Sequence, residues 1–273
     1  MVELFQRDIK SANRQSSKGN QLKWENSGTW YKADYTGYEG LAEYVIAALL
    51  GLSTLDAGEF VIYEPTEIKY KDTTYRGVSC KNFLKDDWQI ITLERLFKAL
   101  YGESLNSNIY KMDSCKNRLE FLVVQVEKAT GLRNFGRYMN KLFTIDALFL
   151  NEDRHMHNIG VLMNGIGEFA YCPIFDNGAG LMADTTMDYP INGFVDDMIK
   201  TVKAKTISTD FDEQLDVSEE LFGTNIKFTF SRKKVFDIIS RADIYSLNER
   251  ERVEKIVLYQ MRKYQYLFKT PQT

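Results

Sequence analysis

The densest polar cluster in the chain is Asn-Glu-Asp-Arg-His-Met-His-Asn, Asn151 to Asn158, set between an apolar helical pattern and a strand pattern. The return strand of the expected hairpin, turned at Asn164-Gly165-Ile166-Gly167, ends in Phe175-Asp176-Asn177-Gly178. A hairpin brings the chain back to where it began, so Asp153, Asn158 and Asp176 are expected to approach one site. Carboxylate and amide oxygens are hard ligands, suited to magnesium or manganese holding a polyphosphate. His155 and His157 are the only histidines. Their alternate spacing invites a zinc or general-base reading, but no third soft ligand lies nearby. One of the two is therefore read as bracing the catalytic loop through hydrogen bonds, and His155 is placed with Asp153 among the expected catalytic residues.

The spacing narrows the chemistry. Asp153 and Asn158 stand as D-x-x-x-x-N and Asp176 opens D-x-G, the pattern of catalytic and metal loops in protein kinases. Asp153 would position the acceptor hydroxyl and take its proton, while Asn158 and Asp176 would hold the metal against the phosphates of ATP. Gly178 is expected to supply a backbone turn that a side chain would obstruct. Upstream, Ser16, Ser17, Lys18 and Gly19 offer small residues whose N–H groups could wrap phosphate oxygens. Lys32 sits mid-strand in Thr-Trp-Tyr-Lys-Ala-Asp, and Glu39, at the start of the next helix, is the expected partner that orients it.

The elements that must place these residues fall into two compositional halves. To about Phe83 the text reads as short strands over 21–24, 29–34, 59–63, 68–70 and 74–79, forming an antiparallel sheet. One helix interrupts them over 38–50, stopped by Gly51. Beyond Thr92 the period is helical: Leu93, Leu96, Phe97 and Leu100; then Leu119, Leu122, Val126 and Ala129; then Phe135, Tyr138, Leu142, Ile145 and Phe149. Strands over 159–163 and 168–175 form the hairpin. A capping box at Ser246 and Glu249 opens a last helix running to about Phe268. The stretch 184–222 is less periodic and mixes acids with Thr and Ser, a composition compatible with a mobile surface loop within it. The expected fold is α+β and bilobal, with a small antiparallel sheet lobe over 1–83 and a larger, mainly helical lobe over 84–273.

Composition excludes several classes. With 273 residues, 44% apolar and 27% charged, the chain is globular and able to bury a core without staples. Thirty-five basic residues against 38 acidic ones give a charge of -3, which favours neither nucleic acid nor an anionic membrane. Cys80, Cys115 and Cys172 are odd in number and widely spaced, which argues for a reducing cytoplasm over a disulfide framework. The longest apolar stretch, near Tyr44 to Leu52, is far short of the ~20 residues that span a bilayer. No secretory leader is evident, although delivery into a host without one is compatible with the same features.

The text resembles the HipA-like serine/threonine kinases. The resemblance is carried by LFLNEDRHMHNIGVL over 148–162 and PIFDNGAGL over 173–181, with SSKGNQLKW, WYKAD and YEGLAEYVIAALLGL upstream. It implies that Asp153 is catalytic, that Asn158 and Asp176 bind Mg2+ or Mn2+, that Lys32 meets the ATP phosphates and that Ser16 to Gly19 form the phosphate loop. Ser79, Cys80 and Lys81 fall where backbone groups would contact adenine. It also implies a protein substrate with a serine or threonine acceptor, autophosphorylation at Ser16 or Ser17, and a possible toxin–antitoxin setting. Full-length HipA proteins carry a small domain before the kinase core; here the phosphate loop arrives within the first 20 residues. The chain therefore looks like the core, either stand-alone or served by an antitoxin or small accessory partner. A kinase of a lipid or small molecule, a nucleotide-binding pseudokinase and a metal-dependent hydrolase remain open alternatives.

Overall fold

The computed structural model describes residues 1–10 and 21–268. In chain order the strands and helices begin with β1 (Val2–Leu4), β2 (Lys23–Asn26), β3 (Thr29–Ala33), α1 (Glu39–Leu50), β4 (Glu64–Tyr70) and β5 (Thr73–Lys81). There follow β6 (Gln89–Thr92), α2 (Leu93–Tyr101), α3 (Leu105–Ile109), α4 (Cys115–Thr130), α5 (Phe135–Phe149), β7 (Gly160–Met163) and β8 (Phe169–Tyr171). The last elements are α6 (Val195–Met198), α7 (Phe211–Phe222), α8 (Arg232–Ile239) and α9 (Leu247–Lys263). The chain divides into two compact units, one of Met1–Phe83, Phe175–Val202 and Lys227–Thr273, the other of Leu84–Ile174 and Lys203–Ile226. The α+β class expected from the sequence is the one observed.

The first unit is built on a five-stranded sheet in the order β1-β4-β5-β3-β2. Strands β2 to β5 pair antiparallel, as alternation predicts, but β1 adds in parallel to β4, with Leu4 opposite Tyr70. That edge strand corrects the expectation of a wholly antiparallel sheet. It forms because Leu4 completes a buried cluster with Trp24, Ala33, Ile68 and Tyr70. Ser27 (φ 51°) and Gly28 (φ 74°) make the tight β2–β3 turn, whose left-handed backbone matches the twist of the flanking strands. Residues 59–63 are not a strand. The Glu59 N–H donates to the Asp56 carbonyl and the Asp56 N–H to the Glu59 carboxylate, both at 2.9 Å, so local turn bonds replace strand pairing. Helix α1 packs on β4 and β5 and is buried on nearly all sides.

The second unit carries an antiparallel sheet, β6-β7-β8, and α5 packed between α4 and α7. The expected hairpin is present, although its second strand stops at Tyr171. Gly131, at φ 73°, ends α4 as anticipated. The less periodic stretch contains an ordered helix, α7, whose amino end is capped by the Asp210 carboxylate accepting from the Asp212 and Glu213 N–H groups. Its Phe211 and Leu215 are buried. In the first unit, the capping box at Ser246 and Glu249 opens α9 as predicted. The helix ends at Lys263 rather than near Phe268, giving way to a short 3-10 turn over Gln265–Leu267. Among the described residues no helix is long and apolar enough to cross a membrane.

Gly77 lies in β5 opposite Ala33, where an added Cβ would fall on the backbone carbonyl oxygen of Lys32. Gly77→Ala is expected to destabilise the fold by about 1–3 kcal/mol, the usual cost of overpacking. Urea unfolding of the two proteins, read by tryptophan fluorescence, measures it.

Candidate functional site

On the first unit the site grows from Lys32 in the middle of β3. Its side chain is 12% exposed, and its ammonium lies 2.7 Å from Glu43 Oε1 and 2.8 Å from Asp176 Oδ1. Burial opposes the charge on Lys32, but the carboxylates of Asp176 and Glu43 outweigh it and hold the ammonium well above its ordinary range. The ring of Tyr63 sits beneath, 5.3 Å from Nζ. The Tyr63 hydroxyl accepts from the Asp176 N–H at 3.5 Å. Glu43 also accepts the Asn177 N–H, at 3.0 Å through Oε2, so helix α1 is bonded to both Lys32 and the D-x-G stretch.

Two expectations are corrected here. The partner of Lys32 on α1 is Glu43, one turn beyond Glu39. Glu39 instead turns back to accept the N–H groups of Tyr35, Thr36 and Gly37, fixing the turn that leads into the helix. The left-handed residue of the D-x-G stretch is Asp176, at φ 61°, and not Gly178, which lies against Glu39 and Glu43. Ser16, Ser17, Lys18 and Gly19 fall outside the described residues. Ser79, Cys80 and Lys81 close β5: pairing with β4 ends at Ser79, while pairing with β3 continues to Lys81. Burial pushes the Cys80 thiol up to about 11, so it is no nucleophile at neutral pH.

The second unit carries the other expected residues. The Asn158 side-chain amide donates to the Asp153 carbonyl at 2.8 Å and to Asp153 Oδ2 at 3.2 Å, which fixes the D-x-x-x-x-N pair. His155 Nε2 stands 3.6 Å from Asp153 Oδ1, and His155 Nδ1 accepts the His157 N–H at 3.2 Å. His155 thus touches both Asp153 and the His157 backbone within the loop. The scaffold beneath is a buried ion pair. Arg154 Nε and Nη2 donate to the Asp146 carboxylate of α5 at 3.1–3.2 Å, and Asn151 Nδ2 donates to the same carboxylate at 3.0 Å. Thr206 donates its hydroxyl to the Arg154 carbonyl. Leu150, at φ 54°, makes the left-handed step from α5 into this loop.

Sequence reasoning missed Glu43, Tyr63 and Asp146. The signal for two of them was available: Glu43 and Asp146 are single carboxylates within otherwise apolar helical runs, and a buried charge must be paired. Tyr63 carried no such mark.

The groups around Lys32 comprise one ammonium and two carboxylates, a net charge of one negative, and the Asp176 side chain is 29% exposed. That donor chemistry fits a hard divalent cation. Among the described residues, no group of three or more His, Cys, Asp or Glu side chains that could hold a metal occurs, around the two histidines or elsewhere.

No family model matches the chain, and no curated protein matches it in sequence. Among solved structures, the crystal structure of a Helicobacter pylori proinflammatory kinase, CtkA, matches with a TM-score of 0.60 at 16% identity, over 96% of this chain and 94% of that one. The fold is kinase-like. The neighbour spans nearly the whole chain, so the kinase-like arrangement of elements extends well beyond the two loop motifs.

Asp34, two residues past Lys32, accepts the Gly40 N–H of α1 at 2.6 Å through Oδ1; its Oδ2 is buried with no hydrogen-bond partner among the described residues. Burial raises this carboxyl from its ordinary 3.8 to about 7 against the pull of Gly40. Between those two values the folded protein keeps a proton that the unfolded chain releases, so stability falls as pH rises from about 4 to about 7 and then levels. Asp34→Asn is expected to flatten that slope relative to wild type, checked by denaturant unfolding across pH 4–8.

Proposed function

We propose that the protein is an ATP- and magnesium-dependent phosphotransferase of the HipA-like serine/threonine kinase type. The observation that carries this reading is the Lys32 ammonium held between Glu43 of α1 and Asp176 of the D-x-G stretch. Protein kinases depend on a strand lysine paired with a helix glutamate, beside a metal-loop aspartate. The kinase-like fold and the Asp153–Asn158 pair support it.

In this reading Lys32 grips the α and β phosphates, with Glu43 keeping its ammonium in place. Asp176 and, as the family resemblance implies, Asn158 would hold the metal. Magnesium, when bound, supplies neutralising charge at the transferred phosphoryl group, and few protein ligands suffice because phosphate oxygens and water complete its shell. Asp153 orients the acceptor hydroxyl and takes its proton, steadied by His155 and by the Arg154–Asp146 pair. The end of β5 past Ser79, laddered on the β3 side alone, offers backbone groups to adenine. Autophosphorylation at Ser16 or Ser17 and an antitoxin-like or accessory partner follow from the family resemblance, as does a protein acceptor.

Incubation with labelled ATP and magnesium, followed by mass-spectrometric location of the label, tests donor and acceptor together. Asp153→Asn and Asp176→Asn should each lower transfer by at least ~100-fold, the lower range for losing a positioned base or metal ligand. Label at wild-type level in both variants would discard the assignment. Glu43→Gln should cost at least ~10-fold and more than Glu39→Gln, because only Glu43 touches Lys32.

A further inference from the structure

The stretch after Asp176-Asn177-Gly178 is stitched to the amino end of α1. Thr185 and Thr186 donate their N–H groups to the Thr36 carbonyl at 3.1 and 3.0 Å, and the Tyr38 N–H reaches the Ala183 carbonyl at 3.1 Å. Gly37 is required there, since a Cβ would fall on the Ala183 carbonyl oxygen. The buried Tyr38 hydroxyl donates to the Leu181 carbonyl at 2.8 Å and accepts from Arg252 Nε of α9 at 3.0 Å. Arg252 also donates through Nη2 to Tyr189 O at 3.0 Å, and through Nη1 to Pro190 O at 3.0 Å and Ile191 O at 3.3 Å.

Two features set this arrangement apart from an ordinary tie. Arg252 is 4% exposed, yet its polar partners among the described residues are neutral oxygens together with the Met198 sulfur. A buried cation without a carboxylate costs stability, so packing alone does not account for it. Leu181 (φ 55°) and Met182 (φ 52°) are successive bulky residues in the left-handed region, a strained backbone that persists only when its surroundings over-determine it. The same stretch meets α1 a second time, where Glu43 accepts the Asn177 N–H.

We propose that Arg252, acting through Tyr38, is a positioning residue that locks the segment from Leu181 to Ile191 onto α1 and thereby keeps Glu43 and Asp176 in register with Lys32. The clamp joins three separate stretches of chain, and the Lys32 site sits at its far end. Its kinetic consequence rests on the phosphotransferase reading above; its structural half does not.

The test uses the full chain with Arg252→Met, Tyr38→Phe, which keeps the ring and removes one hydroxyl, and the double variant. Hydrogen exchange should quicken at least ~10-fold over 181–191 and over the α1 end, 36–43, in each single variant, with α4 and α5 unchanged. The double variant should exceed the larger single effect by little, because the two side chains act as one unit. Faster exchange confined to 189–191, or additive effects in the double variant, overturns the proposal. In transfer assays kcat should fall at least ~10-fold while KM for ATP stays within about threefold, as expected for lost positioning rather than lost binding. Wild-type kcat in both single variants also overturns it. Absence of transfer by the wild-type protein counts against the phosphotransferase reading instead, and the exchange data then decide the clamp.

Discussion

A single ammonium organises the first unit. Lys32 cannot be buried charged unless carboxylates meet it, and those it meets come from residues 11 and 144 positions away. This requirement sets the depth of α1 against the sheet, because Glu43 must arrive within hydrogen-bond reach. It also sets the course of the chain at Asp176, which takes up a left-handed backbone there. Tyr63 fills the remaining side with a ring face that favours a cation and a hydroxyl that holds the Asp176 backbone. Removing either carboxylate would leave the buried ammonium with one ionic partner in place of two.

The second unit solves a comparable problem with a different pair. Asp146 and Arg154 are almost wholly buried, and their bonds use up the carboxylate and much of the guanidinium. Burial raises the Asp146 carboxyl while the guanidinium pulls the other way, so the pair holds only as a pair. Such a contact contributes little net stability, but it has one well-defined geometry, and that geometry is what a loop carrying Asp153 and Asn158 needs.

Much of this was legible in the residues. Period and punctuation marked α1, α2, α4, α5, α9 and the hairpin, because apolar spacing and glycine stops express burial directly. The loops around Asp153 and Asp176 were legible from residue type and spacing. What stayed hidden depended on long-range choice. Glu39 and Glu43 lie on one face of the same helix, and spacing alone cannot say which meets Lys32; the outcome turned on Glu39 being drawn to the N–H groups of Tyr35, Thr36 and Gly37, just before the helix. Strand β1 was invisible because three residues carry no period of their own and gain their order from β4. Residues 59–63 have strand composition, but Asp56 and Glu59 bond locally and hold them out of the sheet. Helix α7 was masked by acids on its exposed side.

The first unit gathers chain from its beginning, its middle and its final third, with α9 among the last pieces. During synthesis the lysine-bearing sheet emerges long before the helix that carries Arg252. A growing chain therefore holds β3 and α1 while lacking the guanidinium that pins the 189–191 carbonyls. Contacts this distant in sequence close slowly, since loop entropy is lost before they form. The arrangement around Lys32 spans chain from residue 32 to residue 176, and the proposed clamp reaches on to Arg252, so both belong among the late contacts of folding.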